Sequence, residues 1–282
     1  MSLDHLQLIL HLLLPILFPK RKLQSIQTFP KNNTSQPWLD WKCLVYLYKL
    51  LERCGKIHFI NHSNPIQSRW LRVSSEKEVK LYFIRHGETH FNVEKRLQGF
   101  CDSPLTDKGI KQAKSVGFGL SDLEFKAVYA SESQRVVDTA RYAIGHRNIP
   151  IITDPRLKEM NFGVLETLLQ TEIQAQFGDI LKTLFSLKDL NMSAPEGESY
   201  LQLFTRTSSA IDEIIQKHKN EGGNVLVFSH GVTIGNYLMQ LAKMSGYTHH
   251  ENCSVTVIKY WNGEFYVDRI ADTSFRDKYY LK

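Results

Sequence analysis

No C-x-x-C pair occurs in the sequence, and its four cysteines, Cys43, Cys54, Cys101 and Cys253, form no set with histidine at zinc-ligand spacing. This excludes a zinc-ribbon or disulfide-scaffold protein and leaves free thiols, expected of a reducing compartment and so of a cytoplasmic protein. No apolar run reaches the ~20 residues that cross a bilayer. The leucine-rich stretch from Leu3 to Phe18 is shorter and includes Asp4, His5, Gln7, His11 and Pro15. It is not built as a secretory signal, because Lys20, Arg21 and Lys22 follow the run and no small-residue cleavage site comes after it. No membrane association is expected. Repeats and low-complexity tracts are absent.

Net charge is absent where it would matter. The whole chain carries a formal +6, but residues 1–78 hold 11 Lys/Arg against 5 Asp/Glu, and residues 79–282 hold 24 of each. The excess is confined to the N-terminal extension, so basicity gives no reason to expect a nucleic-acid partner. Within that extension Gln24 to Pro37 reads as a linker, and Trp38 to Arg53 as a helix with Trp41, Leu44, Val45, Tyr48 and Leu51 near one face.

What is present begins at Lys80-Leu81-Tyr82-Phe83-Ile84-Arg85-His86-Gly87. A short apolar run ending in polar residues and Gly predicts a buried strand that delivers Arg85 and His86 to a loop at its C-terminal end. In open α/β sheets, ligands bind at that end. Arg matches phosphate oxygens with a planar fork, and neutral His is a nucleophile near pH 7. Gly87 permits a tight turn or a close approach. The following residues alternate in kind. A helix is expected from Thr106 to about Leu120, with Asp107 in its first turn. A strand follows over Ala127–Ala130, then a helix over 132–144 with Ser131 as N-cap, and a short strand over Ile149–Thr153. Helical segments come next at about 168–177 and 179–187, then a break at Asn191–Pro195 and a helix from about 198 to 219. The strand Asn224–Phe228, the helix Val232–Met244 and a hairpin turning at Asn262-Gly263 complete the pattern. This order predicts a three-layer α/β/α sandwich with a mostly parallel sheet and an antiparallel edge. His249-His250 is the one tight histidine pair, and with no ligand partner nearby it is expected in a solvated turn.

Arg85-His86-Gly87-Glu88-Thr89, Asn92, Arg96-Leu97-Gln98-Gly99, Asp102-Ser103-Pro104-Leu105-Thr106 and Gly109 together resemble the opening of the histidine phosphatase superfamily, which also contains cofactor-dependent phosphoglycerate mutases. The resemblance continues through Ser131, Arg135 and Thr139-Ala140, through Glu159-Met160-Asn161-Phe162-Gly163, through Gly197-Glu198-Ser199 and through Phe228-Ser229-His230-Gly231. It implies the same sandwich architecture, with residues 79–282 as the catalytic domain; the apolar helical stretch of about 165–200 is expected as a lid over the site or as extra packing. It further implies that His86 becomes a phosphohistidine, that Arg85, Arg135 and His230 clamp the phosphoryl oxygens, and that Asn92, Gln98 and Gly99 line the pocket. Val136 stands where the family commonly has alanine. The proton donor implied by position is Glu159; Glu88, Asp102 and Glu166 are also close in sequence to the motif.

The substrate implied is a small-molecule phosphomonoester, with no cofactor and no metal. The stretch after Glu159 resembles the phosphatase branch rather than the mutases, which insert a carboxylate-binding segment there. A mutase, or a phosphate-binding protein of the same fold without catalysis, is the alternative. Since the resemblance begins only at Val79, residues 1–72 are expected to be dispensable for catalysis and need not belong to the natural protein. No methionine lies between Met1 and Met160, so a shorter product would begin at a codon such as that for Leu71 or Val73.

Overall fold

The computed structural model describes residues 76–244, 246 and 248–278. The expectations for the leucine-rich run, the linker and the helix over 38–53 lie outside these residues.

Six strands form one sheet, with β1 (Val79–Arg85), β2 (Phe125–Ala130), β3 (Ile151–Thr153), β4 (Gly223–Ser229), β5 (Val255–Trp261) and β6 (Glu264–Asp272) in the order β3-β2-β4-β1-β5-β6. The β1–β4, β2–β4 and β2–β3 pairs are parallel, while β5 runs antiparallel to both β1 and β6. The β5–β6 hairpin turns at Asn262 and Gly263, both with positive φ (51° and 78°), as the Asn-Gly pair requires.

Because β1 is buried on both faces, its alternate side chains feed two cores. Tyr82 and Ile84 pack with α2 (Asp107–Gly119) and α3 (Gln134–Ile144) through Val116, Val136 and Ala140. Leu81 and Phe83 pack on the opposite face with α6 (Tyr200–His218) and α7 (Gly231–Leu241) through Ile211, Ile214, Ile234 and Leu238. Each such side chain contributes about 1.5–3 kcal/mol by leaving water. Val136 is fully buried here, so the extra bulk relative to alanine is accommodated in the α3 core.

A third core lies apart from the sheet. Met160, Phe162, Leu165, Ile173, Leu184, Ala194, Tyr200 and Leu203 bury one another across α4 (Gln170–Phe177), α5 (Ile180–Phe185) and the start of α6. This is the segment expected as a lid. Its base is stitched to the loop before Gln98, where the Leu97 and Thr167 amides donate to the carbonyls of Leu168 (3.0 Å) and Leu97 (2.7 Å).

Caps fix where the helices begin. Thr106 accepts from the Gly109 amide at 3.0 Å, and Ser199 and Gln202 form a reciprocal capping box on α6. A short helix, α1 (His90–Glu94), occupies part of what reads in the sequence as a loop; Thr89 and Asn92 cap it reciprocally and Lys95 closes it in the left-handed region. A further short helix, α8 (Ser274–Asp277), follows β6. One expected cap is corrected. Helix α3 starts at Gln134 rather than 132, and Ser131 does not cap it: its hydroxyl is bonded to His230, while the Asp102 carboxylate accepts from the Gln134 amide instead. His250 is a second correction. It is buried, with Nδ1 against the Thr248 carbonyl and Nε2 against the Thr256 hydroxyl, each at 2.9 Å. Only its neighbour His249 is exposed. Burial lowers the His250 pKa to about 4.

Candidate active site

Strands β1, β2 and β4 are parallel, so their C-terminal ends open on one edge of the sheet, and there the chain gathers its polar residues. Arg85 and His86 leave β1, Ser131 follows β2, and Ser229 and His230 leave β4. The register sets Arg85 opposite Ser229, and the His86 amide donates to the Ser229 carbonyl at 3.1 Å.

Gly87 allows a close approach, but by the protein itself: a Cβ there would lie 2.5 Å from the carbonyl oxygen of Gly109 on α2. The Gly87 amide donates to the Thr139 hydroxyl on α3 at 3.0 Å, so the turn after His86 is locked to both helices beneath it.

His86 is buried, and its Nδ1 lies 2.8 Å from the Gly87 carbonyl oxygen. A carbonyl only accepts, so Nδ1 carries the proton and Nε2 keeps the lone pair. Burial, reinforced by the charges of Arg135 and Arg85, holds the His86 pKa well below the usual histidine value. The ring is therefore neutral at pH 7.

Arg135 is the most constrained cation of the site. Its side chain has 0% exposure and pairs with Asp102 at 2.9 Å. Nη1 also donates to the Cys101 carbonyl and Nη2 to the Gly99 carbonyl, both at 2.8 Å. Nη2 further donates to His230 Nδ1 at 3.0 Å. That leaves the buried Nε–H without a hydrogen-bond partner among the described residues. The carbonyl of Gly99 is turned toward Arg135 by a positive φ of 65°, and a Cβ at Gly99 would fall 2.1 Å from Glu166 Oε1. Both facts require glycine.

His230 sits behind His86, with ring centroids 5.4 Å apart. Arginine only donates, so His230 Nδ1 accepts from Arg135 and its Nε2–H donates to the Ser131 hydroxyl at 2.9 Å. Burial and Arg135 lower its pKa well below the ordinary value. His230 thus touches the site through Arg135 and through packing on His86.

These groups surround a cavity of about 150 Å³ lined by Arg85, His86, Asn92, Arg96, Leu97, Gln98, Gly99, Arg135, Glu159, Phe162, Phe185 and Val232. All the expected site residues except His230 line it. It is smaller than the ~300–1,000 Å³ of drug-sized ligand sites and suits a group the size of a phosphoryl.

The candidate acids separate cleanly. Glu88 is held by Lys108 and the Thr106 hydroxyl, at 2.8 and 2.9 Å. Asp102 pairs with Arg135 and caps α3. Glu166 accepts from the amides of Phe100, Cys101 and Phe162 and ties two loops together. Glu159 alone among the four reaches the cavity. Its Oε1 is within 3.0 Å of three donors, the amides of Met160 and Thr233 and the Thr233 hydroxyl, whereas Oε2 has the Val232 amide at 3.1 Å. Oε2 is the oxygen with room for a proton.

Two site residues, Asn252 and Phe185, belong to none of the sequence motifs. The Asn252 side chain donates to the His86 carbonyl (3.0 Å) and to Asn92 Oδ1 (3.2 Å). Arg85 donates to the His250 carbonyl. Phe162 and Phe185 wall the cavity with ring centroids 6.2 Å apart. Arg96 also lines it, but is occupied by Glu94 at 2.9 Å and Glu172 at 3.6 Å. Asp102 and Ser131 were visible as parts of the motif, without their roles. No group of three or more His, Cys, Asp or Glu among the described residues is placed to hold a metal ion, and no described helix is long and apolar enough to cross a membrane.

Comparison with known proteins places the chain in a family. The chain is 33% identical over 186 residues to "Probable phosphoglycerate mutase GpmB" of Enterobacter sp. (strain 638), covering 64% of this chain and 85% of the relative. Among solved structures it resembles a phosphoglycerate mutase from Bacillus anthracis str. Sterne, with 32% identity and a TM-score of 0.66 over 73% of this chain and 99% of the other. It also resembles YhfR of Bacillus stearothermophilus, with 34% identity and a TM-score of 0.64 over 70% and 99% of the two chains. The sequence profile of the histidine phosphatase superfamily (branch 1) matches residues 81–273, and the chain belongs to that superfamily.

Proposed function

We propose that the protein hydrolyses small phosphomonoesters through a phosphohistidine on His86, with Glu159 as the proton donor. The observation that carries this reading is the pairing of a neutral His86, its Nε2 lone pair free, with the buried Arg135, whose Nε–H has no partner among the described residues. An unpartnered buried cationic donor is costly, and a phosphoryl oxygen would satisfy it.

In the first step His86 Nε2 attacks phosphorus and the P–O bond to the alcohol breaks. Arg85 and Arg135 offset the charge on the phosphoryl oxygens, and Glu159 Oε2 gives its proton to the leaving oxygen. In the second step the Glu159 carboxylate takes a proton from water as its oxygen attacks phosphorus. The N–P bond breaks, and inorganic phosphate and neutral His86 are restored.

The names of the relatives favour a second reading, a phosphoglycerate mutase. A mutase must hold a substrate carboxylate in addition to the phosphoryl group. The cavity's third cation, Arg96, is already shared by two glutamates, and the lid contributes Phe185 rather than a cation to the lining. Hydrolysis is the better fit.

The test is a rapid quench at alkaline pH with labelled substrate. A phosphoenzyme stable to alkali is expected, lost together with turnover in His86→Ala. A variant with full activity, or an unlabelled wild type that still turns over, would count against His86. Interconversion of 2- and 3-phosphoglycerate faster than phosphate release would favour the mutase.

A further inference from the structure

Glu159 lies in a loop with neither sheet nor α-helix to fix its backbone, yet that backbone is tightly held. Arg206, on the second turn of α6, donates from Nη1 to the carbonyls of Arg156 (2.9 Å) and Lys158 (2.8 Å), and from Nη2 to the carbonyl of Glu159 itself (2.6 Å). Its Nε donates to Glu198 Oε2 at 3.0 Å, and Nη2 also meets Oε1. Glu198 completes the grip on the other side: Oε1 accepts from the Asn161 amide at 2.8 Å, and the Glu198 amide donates to the Asn161 carbonyl at 2.9 Å. Both side chains are largely buried, at 19% and 15% exposure, and neither lines the cavity. The ring of Phe100, in the loop that also carries Gly99, lies 5.8 Å from the Arg206 guanidinium and shields it.

We propose that Arg206 and Glu198 are a positioning pair for the proton donor, fixing residues 156–161 so that the Glu159 carboxyl stays in the cavity beside His86. The inference rests on the reading of Glu159 as the acid. The physical reason is the count of carbonyls. Three closely spaced backbone acceptors converge on one point, and only a planar, multiply donating guanidinium satisfies them together with a carboxylate. A lysine would keep the charge and lose the fork.

The experiment compares kcat/KM of the full-length protein for an alkyl phosphate and for p-nitrophenyl phosphate, whose leaving group needs no proton. Arg206→Lys and Glu198→Gln are expected to lose up to about 10²-fold on the alkyl ester, the scale of a small misplacement of a catalytic group. The aryl ester should be nearly unaffected, and the pH limb of the alkyl reaction that reports the acid should shift. Guanidinium ion at millimolar concentration should partly restore alkyl activity to Arg206→Ala. Equal losses on both esters in Arg206→Lys and Glu198→Gln, or no loss on either, would overturn the proposal. Glu159→Gln is run in parallel. If that variant loses both esters equally, the assignment of the acid fails; if it is selective and the pair is not, the positioning role alone fails. Should Arg206→Lys not fold, Glu198→Gln, nearly isosteric, gives the same discrimination.

Discussion

His86 and Arg85 leave the end of a strand that is hydrogen-bonded on both sides and buried on both faces, whereas Glu159 leaves a loop next to the 165–200 segment, the expected lid, which has its own small core. The two halves of the site are held by different means. On the phosphoryl-binding floor, side chains bond directly to one another: Asp102 to Arg135, Arg135 to His230, His230 to Ser131. Removing one member leaves buried partners unsatisfied, so the floor behaves as a unit. On the acid side the contacts are mainly to backbone, from Arg206 beneath and from the first amides of α7 in front. Such an arm can be loosened without disturbing the floor. Under the proposed function the difference separates binding and charge neutralisation from proton transfer, and the two should therefore be separable by mutation.

The strongest test of that separation is on the floor. Arg135→Lys keeps one positive charge but loses the donors to the Gly99 and Cys101 carbonyls and to His230. Loss of a single preorganised donor in such a site costs about 10²–10³ in rate, and this substitution should cost at least that. The loss should be the same for alkyl and aryl phosphates, because both must be bound and neutralised. It should also appear as slower formation of the phosphoenzyme in single-turnover measurements. A loss confined to alkyl phosphates would mean that floor and arm are one network after all.

The lid provides a weaker contrast. Leu184 is buried in the lid core with Ile173 and Phe162, away from the two cores of the sheet. Leu184→Ala should cost about 2–5 kcal/mol, the usual range for a large buried side chain truncated to alanine. The cost should fall on the lid. Amide exchange across 165–200 should quicken far more than in β1 or β4, and KM should rise through the neighbouring Phe185 while phosphoenzyme chemistry changes little. Uniformly faster exchange throughout the sheet would show that the lid core and sheet cores fold as one.

The same contrast governs what could be read from the sequence. The floor was legible because strand ends are local: five residues of buried strand followed by Arg85-His86-Gly87 state the element, its end and its chemistry in one stretch. The sheet class followed from the alternation of strands and helices, and the final hairpin from Asn262-Gly263. What was not legible depended on partners distant in sequence. Ser131 looks like a helix cap, yet His230, from another strand, takes its hydroxyl and Asp102 caps the helix. His250 looks solvated, yet β5 buries it and its carbonyl holds Arg85. Asn252 and Arg206 have no local pattern at all; their roles exist only after the chain has folded. Glu159 could be picked out by resemblance, whereas that it, and not Glu88, Asp102 or Glu166, lines the cavity depends on where each carboxylate points in the fold.

The last effect expected is on stability against acid, and it too divides the two regions. The floor contains three buried histidines, His86, His230 and His250, all with pKa values lowered by burial, His250 to about 4. The lid from 165 to 200 contains no histidine. A histidine whose pKa is lower folded than unfolded binds its proton only in the unfolded chain between the two values, so acid favours unfolding in that window. The stability it contributes is present above about pH 6.5 and is lost as pH falls below it, by about 1.4 kcal/mol per pH unit for each histidine. Urea unfolding between pH 7.5 and 5 should therefore show a steady decline below pH 6.5. His250→Gln, whose side chain lies outside the cavity, should make the decline shallower by about one histidine's share. Leu184→Ala should shift the curve without changing its slope. A stability that is flat or rising between pH 6.5 and 5 would mean that these histidines are already charged in the folded protein, and the neutral His86 on which the proposed attack depends would fall with them.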